Sequence, residues 1–139
     1  MGEDGNAEPA TADRRRPSAV LTWLVLRMLS FRYAFRGIWV ASTGSNFRLH
    51  LAGAGAAGIL AAAFGLRRTH VGLVILAIVA VLSTELLNTA IERICDLVAG
   101  LHGIGWDARI RDIKDLAAGA VLVVAVGAAA LAVVVFAQG

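Results

Sequence analysis

The sequence is short of the residues that build crosslinks, surface charge networks and common nucleotide or metal sites. Its single cysteine, Cys95, excludes a disulfide within the chain and suggests a packing role. Charged residues make up 17% of the sequence, against about 25% in average soluble domains. The sequence also lacks a GxxxxGK(S/T) loop, a protein-kinase signature and the CxxC or HxxxH spacing of metal ligands. Any nucleotide or metal chemistry therefore requires another architecture.

Apolar side chains are in excess, at 58% of the chain against about 45–50% in average domains. They form three long runs, each of which can cross a bilayer as a helix. A glycine-rich segment in the first run, Gly53–Gly58, suits close helix packing better than nucleotide binding, because no strand precedes it. The sequence therefore predicts an all-α membrane protein. The expected spans are residues 47–66, 71–98 and 113–137.

The region before the first span is basic and amphipathic. Residues 1–17 are polar and are expected to be disordered, whereas 18–139 are expected to form one membrane domain. Between residues 14 and 48 there are seven arginines and no acidic residue. At about 18–44, apolar residues recur at spacings of three and four among arginines and aromatics, which is typical of a helix in the membrane interface. The expected partner is an anionic bilayer surface rather than nucleic acid.

The distribution of basic residues predicts the orientation in the membrane. Arg109, Arg111 and Lys114 precede the third span, whereas Arg67 and Arg68 are the only charges between the first two spans. Cytoplasmic loops carry the excess of lysine and arginine. We therefore expect a multi-pass protein of the cytoplasmic membrane, with its N-terminus and second loop in the cytoplasm. The second half of the second span then ends on the cytoplasmic side.

A stripe of polar side chains runs along that second half. Four of its members fall within an arc of about 80° on a helix that turns about 100° per residue. They are Glu85, Asn88, Glu92 and Asp96, with Thr89 at the edge of the stripe. Carboxylates inside a bilayer are costly, so they normally face a protein interior and mark a functional site. The alternative is a structural ion pair, for which the partner would be Arg93.

This stripe suits phosphoryl transfer to a membrane alcohol. Carboxylate oxygens are the ligands that Mg²⁺ prefers, and a buried carboxylate can take a proton from a hydroxyl. Nucleotide would arrive from the cytoplasm, where basic residues lie ready to bind its phosphates. Intramembrane carboxylates also serve proton or ion conduction, which is a second possible function. Conduction does not explain the pair Lys114-Asp115 at the start of the third span.

The segment ELLNTAIERICD, from Glu85 to Asp96, resembles the signature E-x-x-N-(S/T)-A-(I/V)-E-x-x-x-D of the small bacterial membrane diacylglycerol kinases. The flanking segments agree in the same order, and the resemblance covers residues 27–137. They are FRYAFRGI (Phe31 to Ile38), NFRLH (Asn46 to His50) and KDLAAGAVLV (Lys114 to Val123). The flanks are closer to the Gram-positive branch, whose members include undecaprenol kinases. The acceptor can therefore be either diacylglycerol or undecaprenol.

The resemblance implies a homotrimer of three-helix subunits, with active sites between subunits that use Mg²⁺ and ATP. Glu85 would be the general base on the lipid hydroxyl, and Glu92 would bind the metal that bridges the ATP phosphates. Asn88 and Thr89 would position the substrate or a phosphate. The residues implied for nucleotide binding are Tyr33, Asp96, Lys114 and Asp115.

Two departures from the family pattern bear on activity. The family often carries an acidic residue before the first span that helps to bind metal, whereas residues 42–45 here read Ser-Thr-Gly-Ser. The loop between Asp96 and Lys114 is about four residues longer than usual in this family, which implies an altered lid over the nucleotide. A non-catalytic scaffold or regulatory member of the same fold is therefore a further hypothesis.

Overall fold

The computed structural model describes residues 19–103, 105 and 107–138. Within this part of the chain every regular element is an α-helix, which confirms the predicted all-α class. The prediction of a disordered segment at 1–17 lies outside the described residues. The helices are α1 (Ala19–Ala41), α2 (Ser45–Ala63), α3 (Arg68–Leu101) and α4 (Ala108–Ala137).

The chain divides into two compact units, with the boundary between Phe35 and Arg36 inside α1. In the first unit, the guanidinium of Arg27 lies over the Trp23 ring, 5.2 Å from its centroid. Such a pair combines a basic group with an aromatic surface, and both suit the interface between water and lipid. The placement of this helix on a membrane surface stays a prediction, as does the single domain over residues 18–139.

In the second unit, α3 packs along α4 and α2 packs along α3. The link between α2 and α3 is short because α2 ends in a Schellman motif. Gly65 has φ +61°, and the N–H of Leu66 donates to the carbonyl of Ala61 at 3.3 Å. An edge-on contact of Phe64 with Phe136, with centroids 5.7 Å apart, joins the ends of α2 and α4.

The helices α3 and α4 are long and apolar enough to cross a membrane. The helix α2 is less apolar, because its first two turns contain Asn46, Arg48 and His50 and several glycines follow. The count of three spans therefore stays a prediction. Large apolar side chains along α3 and α4 are exposed in the single chain, Leu87, Leu97 and Val123 among them. Exposed apolar surface of this kind suits lipid or a further subunit.

Candidate active site

The predicted polar stripe lies on α3, and its burial decreases along the helix. Glu85 and Asn88 are each 3% exposed, and they are the two buried polar side chains among the described residues. Thr89 and Glu92 are half-buried, and Asp96 is exposed. A helix that is mostly Leu, Ile, Val and Ala thus carries three acids at positions that run from buried to exposed. The stripe therefore runs from the protein interior to the exposed C-terminal part of α3.

Asn88 and Glu92 are bonded to each other one turn apart on α3. The Asn88 amide donates from Nδ2 to Oε1 of Glu92 at 3.1 Å, whereas Asn88 Oδ1 meets no donor among the described residues. Rotating the amide by half a turn would place two acceptor oxygens against each other, so the bond to Glu92 determines which atom is free. A buried acceptor without a donor costs about 1–3 kcal/mol. Asn88 itself does not line the polar cavity that adjoins this stripe, so its free acceptor lies beside that cavity, on the same stripe as Glu85 and Glu92.

A polar cavity of about 440 Å³ lies against this stripe. One wall is formed by α3, and the other by the end of α1, the following turn and the start of α2. We call it the polar cavity. Its lining residues are Val40, Thr43, Gly44, Ser45, Asn46, Glu85, Thr89, Glu92, Arg93 and Asp96. The structure therefore brings three predicted acids of the stripe into one accessible space.

The turn that forms the second wall is closed by side-chain hydrogen bonds. Ser42 Oγ donates to the Trp39 carbonyl at 2.7 Å, and Thr43 Oγ1 donates to the Val40 carbonyl at 2.8 Å. Such local bonds compete with the helix and end α1. Gly44 follows in extended conformation, and a Cβ there would lie 3.2 Å from the carbonyl oxygen of Ala41. The close turn places Ser45 and Asn46 opposite the acidic stripe.

At the outer end of the stripe, Lys114 Nζ donates to Asp96 Oδ1 at 2.6 Å, which connects α3 to α4. Asp115 lies 3.6 Å from the guanidinium of Arg111 on α4. Two of the residues predicted to bind nucleotide, Asp96 and Lys114, are thus neighbours. Tyr33 belongs to the first unit and is exposed, and its contact with nucleotide stays a prediction.

The helix α4 begins at Ala108, five residues before the expected third span. Asp107 caps α4, and its Oδ1 accepts from the Arg109 backbone N–H at 2.8 Å. The Arg109 side chain also bonds this carboxylate, which lowers the pKa of Asp107 below its usual value. An aspartate before an Ala-Arg-Ile-Arg segment is an N-cap signal that the apolar pattern alone did not reveal.

The described residues contain no group of three or more His, Cys, Asp or Glu side chains that could hold a metal ion. Mg²⁺ usually keeps several waters and is bound by one or two carboxylates together with substrate phosphates. Glu92 fits this partial role, since Asn88 occupies only one of its two oxygens and its side chain lines the polar cavity. The donor set therefore fits Mg²⁺ that arrives with a nucleotide.

The fold and the polar cavity define an all-helical membrane protein with a carboxylate site inside its helix bundle. The chain belongs to the prokaryotic diacylglycerol kinase family, whose sequence profile matches residues 32–136. This confirms the family resemblance predicted from the stripe and its flanks.

Two curated relatives are similar to the chain. The undecaprenol kinase of Bacillus subtilis (strain 168) is 39% identical over 108 residues, which cover 77% of this chain and 85% of that protein. The diacylglycerol kinase of Synechocystis sp. is 39% identical over 104 residues, which cover 73% of this chain and 57% of that protein. The chain therefore spans less than two thirds of the Synechocystis protein. No solved structure matches the chain at a significant level.

Proposed function

We propose that the protein is an ATP- and Mg²⁺-dependent lipid kinase that phosphorylates the hydroxyl of a membrane alcohol. The observation that carries this proposal is the carboxylate of Glu85, buried on an apolar helix and yet lining a polar cavity with Glu92 and Asp96. Membership of the prokaryotic diacylglycerol kinase family supports the same activity. The site would face the cytoplasm, where ATP is present.

In this proposal Glu85 is the general base. Its carboxylate takes the proton of the lipid hydroxyl while the hydroxyl oxygen forms a bond to the γ-phosphorus of ATP. The bond from the γ-phosphorus to the bridging oxygen breaks, ADP leaves, and the proton on Glu85 passes to water.

The free oxygen of Asn88 suggests which ligand this residue positions. An acceptor oxygen attracts a hydroxyl or a metal-bound water and repels phosphate oxygens. We therefore assign Asn88 to the lipid hydroxyl, on the same face of α3 as Glu85, rather than to a phosphate. Thr89, which lines the polar cavity one turn after Glu85, has a hydroxyl that can donate to a phosphate oxygen.

Nucleotide and metal would occupy the outer part of the polar cavity. Mg²⁺ bound at Glu92 would neutralise charge on the transferring phosphoryl group. Lys114 and Asp96 would bind the nucleotide at the open end, together with Asp115 and Tyr33. The assembly would be a homotrimer, which is supported by the large apolar surface that α3 and α4 leave exposed in one chain.

The acceptor is proposed as undecaprenol or diacylglycerol. The two relatives are named for these two alcohols and share the same 39% identity with this chain, so identity does not separate the substrates. The test offers each alcohol, in mixed micelles with the purified protein, together with γ-labelled ATP. Label in one lipid supports the proposal and identifies the acceptor. Label in neither lipid, with the protein still folded, favours a non-catalytic member of the family.

Lys114 gives a prediction for nucleotide affinity. Lys114→Met should raise the KM for ATP by about 10–100-fold, the range for losing a hydrogen bond to a charged group. Thermal stability should change little, because the ion pair with Asp96 is solvent-exposed. The matched control is Arg109→Met, which removes a cation that pairs with Asp107 outside the polar cavity. Equal KM values in the two variants would contradict the assignment of Lys114.

Ser45 allows a test of the acidic residue that the family often carries before the first span and that this chain lacks. Ser45→Glu places a carboxylate on the cavity wall opposite Glu92, at a helix N-terminus that favours negative charge. We expect the Mg²⁺ concentration for half-maximal activity to fall severalfold. Gly44 is a poorer position for the acid because its Cβ would crowd Ala41. Ser42→Glu, outside the cavity lining, is the control, and the same fall there would argue against a local effect.

A further inference from the structure

Arg93 is the cation on the lining of the polar cavity. The same lining carries three carboxylates, those of Glu85, Glu92 and Asp96, and Arg93 supplies the one positive charge among the described residues that form it. The triphosphate of a nucleotide is an anion, and a wall of carboxylates alone would repel it. A guanidinium on that wall offsets the repulsion and gives the cavity a place at which a phosphate can bind.

The guanidinium of Arg93 is not engaged by the acids that share its cavity. Asp96 pairs with Lys114 at 2.6 Å, and Glu92 accepts from Asn88 Nδ2 at 3.1 Å. Within the described part of the chain, none of the ion pairs includes Arg93. The structural ion pair considered from the sequence, with Arg93 as the partner of the stripe, is therefore not formed in the single chain. The charge of Arg93 is left to act on a ligand.

The position of Arg93 along α3 places it beside the phosphates. Arg93 lies about 12 Å beyond Glu85 along the helix axis, at about 1.5 Å per residue. Helical side chains tilt towards the N-terminus, so the long side chain of Arg93 extends back towards Thr89, one turn earlier. Both side chains line the polar cavity. A hydroxyl donor and a guanidinium donor thus follow each other on one edge of the stripe, between the proposed base and the outer end of the cavity.

Phosphoryl transfer requires positive charge at this place. In the proposed reaction the Glu85 carboxylate and the lipid hydroxyl approach a γ-phosphoryl group that is itself negative. Mg²⁺ at Glu92 would neutralise one side of this group. A guanidinium is planar and can bind two phosphate oxygens in parallel, which suits the other side. Lys114 is held at the outer end of the stripe by its bond to Asp96.

We propose that Arg93 is a further phosphate-binding residue of this site, whose guanidinium holds the γ-phosphate of ATP during transfer. This inference rests on the proposed kinase function and deepens it. Arg93 contacts the phosphate that distinguishes ATP from ADP. Its loss therefore weakens the binding of ATP more than the binding of ADP, and it slows the transfer step.

The test compares the wild type with Arg93→Gln and Arg93→Lys in vesicles of zwitterionic lipid. The Kd values for Mg²⁺-ATP and Mg²⁺-ADP are measured by calorimetry without the lipid alcohol, and kcat is measured after the alcohol is added. We expect Arg93→Gln to raise the Kd for ATP by about 10–100-fold, the range for losing a hydrogen bond to a charged group. The Kd for ADP should change much less. We expect kcat to fall by about 10²–10³-fold, and Lys, which keeps the charge, to restore part of both.

The matched control is Arg68→Gln. Arg68 is also an exposed arginine on α3, lies outside the lining of the polar cavity, and is about 38 Å from Arg93 along the helix axis. This variant should bind both nucleotides as the wild type does.

The outcomes separate the inference from the proposed function. A rise in Kd that is larger for ATP than for ADP, absent in Arg68→Gln and partly reversed in Arg93→Lys, supports the inference. Equal changes for the two nucleotides, or no change, overturn it even if the wild type is an active kinase. A lowered melting temperature with equally weakened binding of both nucleotides indicates a structural role and also overturns it. A wild type that distinguishes ATP from ADP through Arg93 but transfers no phosphate to lipid refutes the kinase function and leaves the phosphate contact standing.

Discussion

Glu85→Gln is expected to lower kcat by about 10²–10⁴-fold, which is the usual contribution of a general base. The amide has nearly the shape of the carboxylate but cannot accept the hydroxyl proton. Because Glu85 is buried in the single chain, the neutral side chain should not destabilise the helix bundle. The measurement is the rate of label transfer from ATP to lipid, with thermal unfolding followed in parallel.

The control for this variant is Asp112→Asn, the same carboxylate-to-amide change at an exposed position on α4. It should retain wild-type activity. If Glu85→Gln instead unfolds the protein or disrupts its assembly, Glu85 serves a structural ion pair. If the folded variant keeps its kcat, another group removes the proton and the assignment of the base is wrong.

Glu92→Gln is expected to lower kcat by about 10²–10³-fold at ordinary Mg²⁺ concentrations, the loss typical of removing one electrostatic contact to the transition state. The amide can still accept the hydrogen bond that Asn88 Nδ2 donates at 3.1 Å, so local geometry should survive. The negative charge that would hold Mg²⁺ is lost. We therefore expect the Mg²⁺ concentration for half-maximal activity to rise, and this is measured by titrating the metal at saturating ATP.

The diagnostic feature of the Glu92 variant is its response to metal. Partial recovery of the rate at high Mg²⁺ would support a ligand role for this carboxylate, whereas Glu85→Gln should not recover under the same conditions. A variant whose rate falls without any change in its Mg²⁺ dependence would contradict the assignment. In that case Glu92 would act only through Asn88.

Much of the fold follows from patterns of apolar residues, and the differences arise at helix ends. The second span was expected at 71–98, but α3 extends from Arg68 to Leu101. The helix continues through Gly100 and ends where Gly103 adopts φ +61°. The third span was expected from residue 113, but the cap at Asp107 starts α4 at Ala108. Hydrophobicity describes the membrane segment and does not show where capping groups extend a helix beyond it.

The acidic stripe could be predicted because helical periodicity alone places Glu85, Asn88 and Glu92 on one face. What the stripe faces could not be predicted in the same way. The turn residues Ser45 and Asn46 line the opposite wall only because α2 packs back along α3. The pairing of Asp96 with Lys114, 18 residues apart, likewise depends on packing between helices. Periodicity shows which residues share a face, and tertiary contacts decide which faces meet.

The most direct test of the account is phosphorus NMR of the purified protein in vesicles that contain one lipid alcohol, ATP and Mg²⁺. The proposed phosphoryl transfer predicts that lipid monophosphate and ADP appear in equal amounts, and that both form about 10²–10⁴-fold more slowly with Glu85→Gln. Formation of ADP with inorganic phosphate and no lipid monophosphate would contradict it, since the acceptor would then be water. Unchanged ATP with a folded wild-type protein would contradict it as well.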